Sequence, residues 1–120
     1  MRTIKFRGKS INGDWNYGLL TNMKNNWFIS NSAGMPLAYQ IRPETIGQFT
    51  NRSDVNKVDI YENDLVIINT ISDNPRQVIF KNGAIKIKLM GRDVEYYLDQ
   101  FKDDELEVIG NIHDNPELLK

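Results

Sequence analysis

Cysteine is absent from this 120-residue chain, and histidine occurs once, as His113. The first absence excludes disulfides, thiolate zinc sites, iron–sulfur clusters and cysteine nucleophiles. The second removes multi-histidine metal sites and histidine-based triads within one chain. Long apolar runs are lacking too, since none approaches the roughly 18 residues that a membrane helix needs. Charge of either sign is nearly balanced, with 15 Lys+Arg against 16 Asp+Glu, so binding of a polyanion by the whole surface is not the default expectation. No glycine-rich phosphate loop, nucleophile elbow or metal-binding helix motif occurs. Nothing positive points to an enzyme, and no cofactor, metal or catalytic residue is expected. The first residues, Met1-Arg2-Thr3-Ile4-Lys5-Phe6-Arg7, lack the apolar stretch of a signal peptide, so a cytoplasmic location is expected.

What is present is the pattern of strands. Ile4 and Phe6 alternate with Lys5 and Arg7, which puts two apolar side chains on one face and two cations on the other. Asn12-Gly13 is a hairpin signal, because a type I′ turn needs positive φ at both central positions. Trp15, Tyr17 and Leu19 continue the period of two, and Lys24-Asn25-Asn26 breaks it before Trp27-Phe28-Ile29. Ser30 to Leu37, with Gly34 and Pro36, reads as a loop. Ile41 and Thr45–Thr50 supply two further short strands, and the polar stretch Asn51–Lys57 reads as an internal boundary. Beyond it, Leu65-Val66-Ile67-Ile68 suits a strand covered on both faces. Ser72-Asp73-Asn74-Pro75 reads as a turn, and Asn82-Gly83 as a second hairpin. Ile85, Ile87 and Leu89 alternate with lysines, Gly91 marks a turn, and Val94–Leu98 is a strand. The acidic connection Asp99–Glu105 has room for one helical turn. Leu106–Ile112 is a last strand, and Pro116 begins a terminal turn.

The class is therefore all-β. Five short strands from Leu65 to Ile112 suit a small SH3-like β-barrel. The aromatic N-terminal strands, carrying Phe6, Trp15, Tyr17, Trp27 and Phe28, form a hairpin or meander packed on it. The expected organisation is an N-terminal β subdomain over 1–57, a barrel over 58–114 and a terminal turn over 115–120, all within one cooperative unit.

Three stretches carry a resemblance. They are Ile4-Lys5-Phe6-Arg7; then Gly47-Gln48-Phe49-Thr50 with Ile60-Tyr61-Glu62-Asn63-Asp64-Leu65-Val66; then Glu107-Val108-Ile109-Gly110-Asn111-Ile112-His113-Asp114-Asn115-Pro116-Glu117-Leu118-Leu119. In that order and spacing the chain resembles the YopX family of phage and prophage proteins. The resemblance implies a small β-barrel protein of phage or prophage origin in a bacterial host cell, with no assigned reaction and no catalytic residues to carry over. Two positions depart from the family pattern: Asn63 and Asn51 stand where glycine is usual. Asparagine tolerates left-handed backbone, so the turn at Asn63 can survive.

Candidate site residues fall in two groups. Arg2, Lys5, Arg7 and Lys9 form a candidate binding face along the first strand, with Trp27 or Phe28 beside it for stacking against a single strand. Four cations fall short of the roughly six to ten phosphate contacts of tight binders, and the aromatic rings, placed on the face of Ile4 and Leu19, fit a core better than a platform. Tyr61, Glu62 and Asp64 form the central motif. Asp64 is expected to fix the turn through backbone N–H groups and Tyr61 to cap the barrel mouth, while a Glu62/Asp64 acid pair in a small hydrolase is a weak third reading. His113 is expected to be structural. Residues 1–60 carry a net +4 and residues 61–120 a net −5, which suggests self-association of oppositely charged parts. The expectation is a non-enzymatic binding or assembly protein whose partner is itself or a host or phage macromolecule. A nucleic-acid-binding accessory protein is the alternative.

Overall fold

Short turns built on asparagine and glycine set the architecture. In the computed structural model, which describes residues 3–30, 38–89 and 94–119, Lys24-Asn25 and Asn82-Gly83 both hold positive φ. They close two-residue hairpins, with Met23 opposite Asn26 and Lys81 opposite Ala84, as expected when the turn twist matches that of the strands. Every strand pairing among the described residues is antiparallel, no α-helix occurs among them, and the only helical pieces are short 3-10 turns. The fold is all-β. The expected loop with Gly34 and Pro36, the turn at Gly91, and Arg2 lie outside the described residues.

The chain divides into two compact units, 1–49 and 50–120. The first contains β1 (Phe6–Lys9), β2 (Trp15–Met23), β3 (Asn26–Ser30), β4 (Tyr39–Ile41) and the start of β5 (Gly47–Ser53), in the order β4-β3-β2-β1-β5. One face of this sheet packs Phe6, Gly8, Leu20, Ile29 and Ile41, with Ile29 and Ile41 buried. An isolated bridge joins Ser10 to Ile41, and the Arg42 amide donates to the Lys9 carbonyl at 2.8 Å, drawing the edge strand β4 back to the end of β1. Gly8 permits that approach. A Cβ built on it falls on Ile41 Cγ2 and lies 3.5 Å from Ile29 Cδ1.

The second unit begins inside β5, not after the polar stretch ending at Lys57. Thr50 is buried and its hydroxyl donates to the Ile60 carbonyl at 2.7 Å, so these polar residues are strand and tight turn and not a linker. After β6 (Asp59–Tyr61) come β7 (Asp64–Ile68), β8 (Ser72–Lys81), β9 (Ala84–Leu89), β10 (Glu95–Tyr97) and β11 (Leu106–Asn111), the last five ordered β10-β9-β8-β7-β11. Their core is Ile60, Val66, Ile68, Val78, Ile87, Leu98 and Leu106, each worth about 1.5–3 kcal/mol of burial. Ser72–Pro75 belongs to β8, contrary to the expected turn. The chain reverses just before it, where the Ile71 amide donates to the Ile68 carbonyl. Pro75 sits where the register between β7 and β8 shifts, one of the few places a strand accepts proline.

This sheet is not closed. Among the described residues no pairing joins β10 to β11, so the SH3-like barrel expected from strand count is replaced by an open five-stranded sheet. The physical reason is that the free edge of β11 is already satisfied. Val55 donates its amide to the Leu106 carbonyl, and Asp54 accepts the Val108 amide on Oδ2. The Asp54 Oδ1 takes the amides of Asn56 and Val58, so a buried carboxylate and a turn do the work of a closing strand. Between β10 and β11, Arg52 holds the two 3-10 turns, Leu98–Gln100 and Asp103–Glu105. Its guanidinium donates to the carbonyls of Leu98 and Phe101 and pairs with Asp103 at 2.8 Å.

Gly8→Ala is expected to destabilise the protein by about 1–3 kcal/mol, the range for forcing atoms into a filled core. A thermal-melt midpoint several degrees lower checks it, and an unchanged midpoint refutes the packing assigned to Gly8.

Candidate binding face and the central motif

The position of each side chain on the first unit follows from one register. A type I′ turn at Asn12-Gly13 would pair Lys9 with Asn16 and Phe6 with Leu19. Instead the loop takes five residues, Ser10–Asp14, with the Ser10 amide bonded to the Asp14 carbonyl and only Gly13 at positive φ. Lys9 therefore faces Trp15, Arg7 faces Tyr17 and Phe6 faces Gly18. A slip of one residue moves every side chain to the other side of the sheet. Trp15, Tyr17 and Leu19 consequently share the face of the cations, not that of the core, which corrects the expected placement of the rings.

Cations and rings interleave on that face. Lys5 Nζ lies 4.6 Å from the Phe49 ring centre, Arg7 Cζ 4.6 Å from the Trp15 ring, and Lys9 Nζ 5.4 Å from the same ring, contacts worth about 0.5–2 kcal/mol each. The three described cations of the expected strip are largely covered. Arg7 is only 7% exposed, and Lys5 and Lys9 are half-buried. Ile4, expected inside, is 64% exposed. It precedes β1, which begins at Phe6.

Further along β2 the same face turns apolar. Tyr17, Leu19 and Met23 are 44%, 44% and 54% exposed, and the half-buried Phe28 lies opposite Thr21 on β3. Sequence reasoning missed this stripe because it assigned these alternating positions to the core. The only cue in the sequence was the parity of the first hairpin loop.

The central motif is a turn. Asp64 is buried, and its Oδ2 accepts the Tyr61 amide at 2.7 Å, as expected for an acidic residue at a strand entry. Tyr61 is buried, and Glu62 and Asn63 form the bend between β6 and β7. Asn63 adopts φ 72°, donates its amide to Val78, and accepts Gln77 Nε2 on its side chain at 3.0 Å. Asn51, the other departure from glycine, adopts φ 65°. Both asparagines thus occupy the left-handed region that glycine would fill. The closing motif is also built for backbone geometry. Asn111 Oδ1 accepts the amides of His113 and Asp114, Asn115 Oδ1 accepts the Asn111 amide, and a Cβ on Gly110 would fall on the Asn115 side chain. Among the described residues no group of three or more His, Asp or Glu side chains is placed to hold a metal ion.

Two exposed-edge carboxylates are shifted. The Lys81 ammonium, hydrogen-bonded at 2.9 Å, holds the Glu95 carboxyl below its ordinary value, with Lys86 adding to the effect. The Lys102 backbone amide, then the Thr70 hydroxyl, does the same for Glu105. A carboxyl depressed in the folded state contributes stability above its unfolded pKa of about 4.3 and loses it as pH falls through the lower folded value. Glu95→Gln should therefore flatten the loss of stability in that acid window while leaving the neutral plateau's pH-independence intact. Urea titrations from pH 7 to 3 measure this, and an unchanged slope refutes it.

Asn63→Val is expected to cost about 1–2 kcal/mol, since a branched residue is strained at positive φ, whereas Asn63→Gly should lose less. Equal midpoints for the two variants in denaturant would contradict this reading of the turn.

A family model described as YopX protein matches residues 5–120. Among solved structures, the crystal structure of protein EF1440 from Enterococcus faecalis is similar over 100% of both chains, with a TM-score of 0.62 at 20% identity, a likeness of fold. No curated protein matches significantly.

Proposed function

The chain belongs to the YopX family, and we propose that it is a non-enzymatic assembly protein of phage or prophage type, acting in the bacterial cytoplasm, whose first partner is a second copy of itself. The carrying observation is the apolar stripe Tyr17, Leu19 and Met23 on the cation-bearing face of the first unit. Charge complementarity names the occupant. Residues 1–49 hold six Lys+Arg and two Asp+Glu, a net +4, and residues 50–120 hold nine and fourteen, a net −5. In the second unit Asp99, Asp103 and Asp104 are exposed within one short segment. A head-to-tail contact between copies buries the stripe and sets Lys5 and Lys9 against such an acidic segment. The Asp64 carboxylate, already holding the Tyr61 amide, favours this reading over the Glu62/Asp64 hydrolase one, because a group committed to a backbone turn is a poor acid or base.

Sedimentation velocity tests it. The wild type is expected to be larger than the 13.9 kDa monomer at micromolar concentration, to dissociate with added salt, and to become monomeric in the double variant Leu19→Asp, Met23→Glu. A wild type that stays monomeric at about 100 µM, a concentration that reveals even weak association, overturns the proposal. The interleaved rings and lysines favour one other reading, single-stranded nucleic acid. A monomeric protein retained on an oligonucleotide at low salt, and released by Lys5→Glu with Lys9→Glu, would put that reading in place of assembly.

A further inference from the structure

Arg76 occupies a core position. It lies on β8 two residues before the buried Val78, opposite Val66 on one side and Leu89 on the other. The residue is 4% exposed. Its guanidinium stacks on Tyr96, with Cζ 5.2 Å from the ring centre, and Tyr96 is itself fixed edge-on against Phe101 at 5.6 Å. Nε and Nη1 are sealed from solvent and have no hydrogen-bond acceptor, whereas Nη2 is not among the sealed atoms. Ion pairs of this unit go to Arg52, Lys81 and Lys86, and none goes to Arg76 among the described residues.

An arginine in this state is out of line with the rest of the unit. Arg52, less buried, has two carbonyls and two carboxylates around its guanidinium. A buried cation without a counter-charge is strongly unfavourable, and interior arginines are ordinarily paired. The ring behind Arg76 orients the guanidinium but supplies no acceptor for its N–H groups. A counter-charge beside the guanidinium would offset that cost.

We propose that Arg76 anchors an anion site, taking one carboxylate or inorganic monoanion at the Nη2 edge of the guanidinium with the Tyr96 ring as its backing. Nη2 lies outside that sealed pair, and its two N–H groups give a charge-assisted contact to one anion oxygen or to a halide. The site lies wholly within the second unit and does not depend on self-association.

The Nε–H resonance of Arg76 in proton–nitrogen spectra reports the site directly. Acetate and chloride are titrated separately at constant ionic strength on the full chain, alongside thermal melts. The expected result is a saturable shift of that resonance in the wild type and a rise in melting temperature that is absent in Arg76→Met and, read from the melts, roughly tenfold weaker in affinity for Arg76→Lys, about 1.4 kcal/mol. A response to acetate alone assigns the ligand as a carboxylate, and an equal response to chloride assigns it as an inorganic anion. A resonance unmoved by both ions, or a melting rise retained by Arg76→Met, overturns the proposal. Should Arg76→Met not fold, the wild-type titration decides.

Discussion

The pairing of β1 with β2 decides what the first unit presents to its surroundings. Both strands alternate in polarity, so two registers one residue apart are each compatible with hydrogen bonding, and they give opposite surfaces. The five-residue loop Ser10–Asp14 selects the register in which Arg7 meets Tyr17 and Lys9 meets Trp15. From that choice follow the stacked cations, the burial of Arg7, the exposure of Tyr17 and Leu19, and the room for Ile41 beside Gly8.

In the second unit the governing constraint is backbone satisfaction. Three short polar side chains, on Asp54, Asp64 and Asn111, accept amides that no strand partner reaches. Each is buried, where an unpaired amide would cost about 1–3 kcal/mol. The open sheet is stable at its β11 edge because Asp54 and Val55 cap it, and the central and closing motifs of this chain hold the remaining two of these side chains. The motifs are thus explained by folding, which leaves function to be sought on surfaces.

Much of this was legible in the residues. The strands β7–β11, the Asn82-Gly83 turn, the terminal turn at Pro116 and the turn-forming role of Asp64 all follow from local patterns whose physics is local. Failures cluster where a distant partner decides. Asn12-Gly13 signals a hairpin, but the loop runs to five residues and its first, Ser10, is bridged to the distant Ile41. The polar run after Thr50 looks like a linker until the Thr50 hydroxyl meets Ile60 and Asp54 meets Val108. Arg76, flanked by polar residues and a proline, gave no sign of lying on a core face. Only its pairing with Val66 and Leu89 places it there.

The two Asn-Gly turns differ in how they would age. Deamidation through a succinimide ring yields isoaspartate, which adds a methylene to the main chain. The five-residue loop around Asn12 can absorb that extra length. At Asn82 the turn has only two residues, both with positive φ, and the added carbon would misalign Lys81 with Ala84 and the ladder behind them. The same chemical change therefore does more damage at the tighter of the two hairpins.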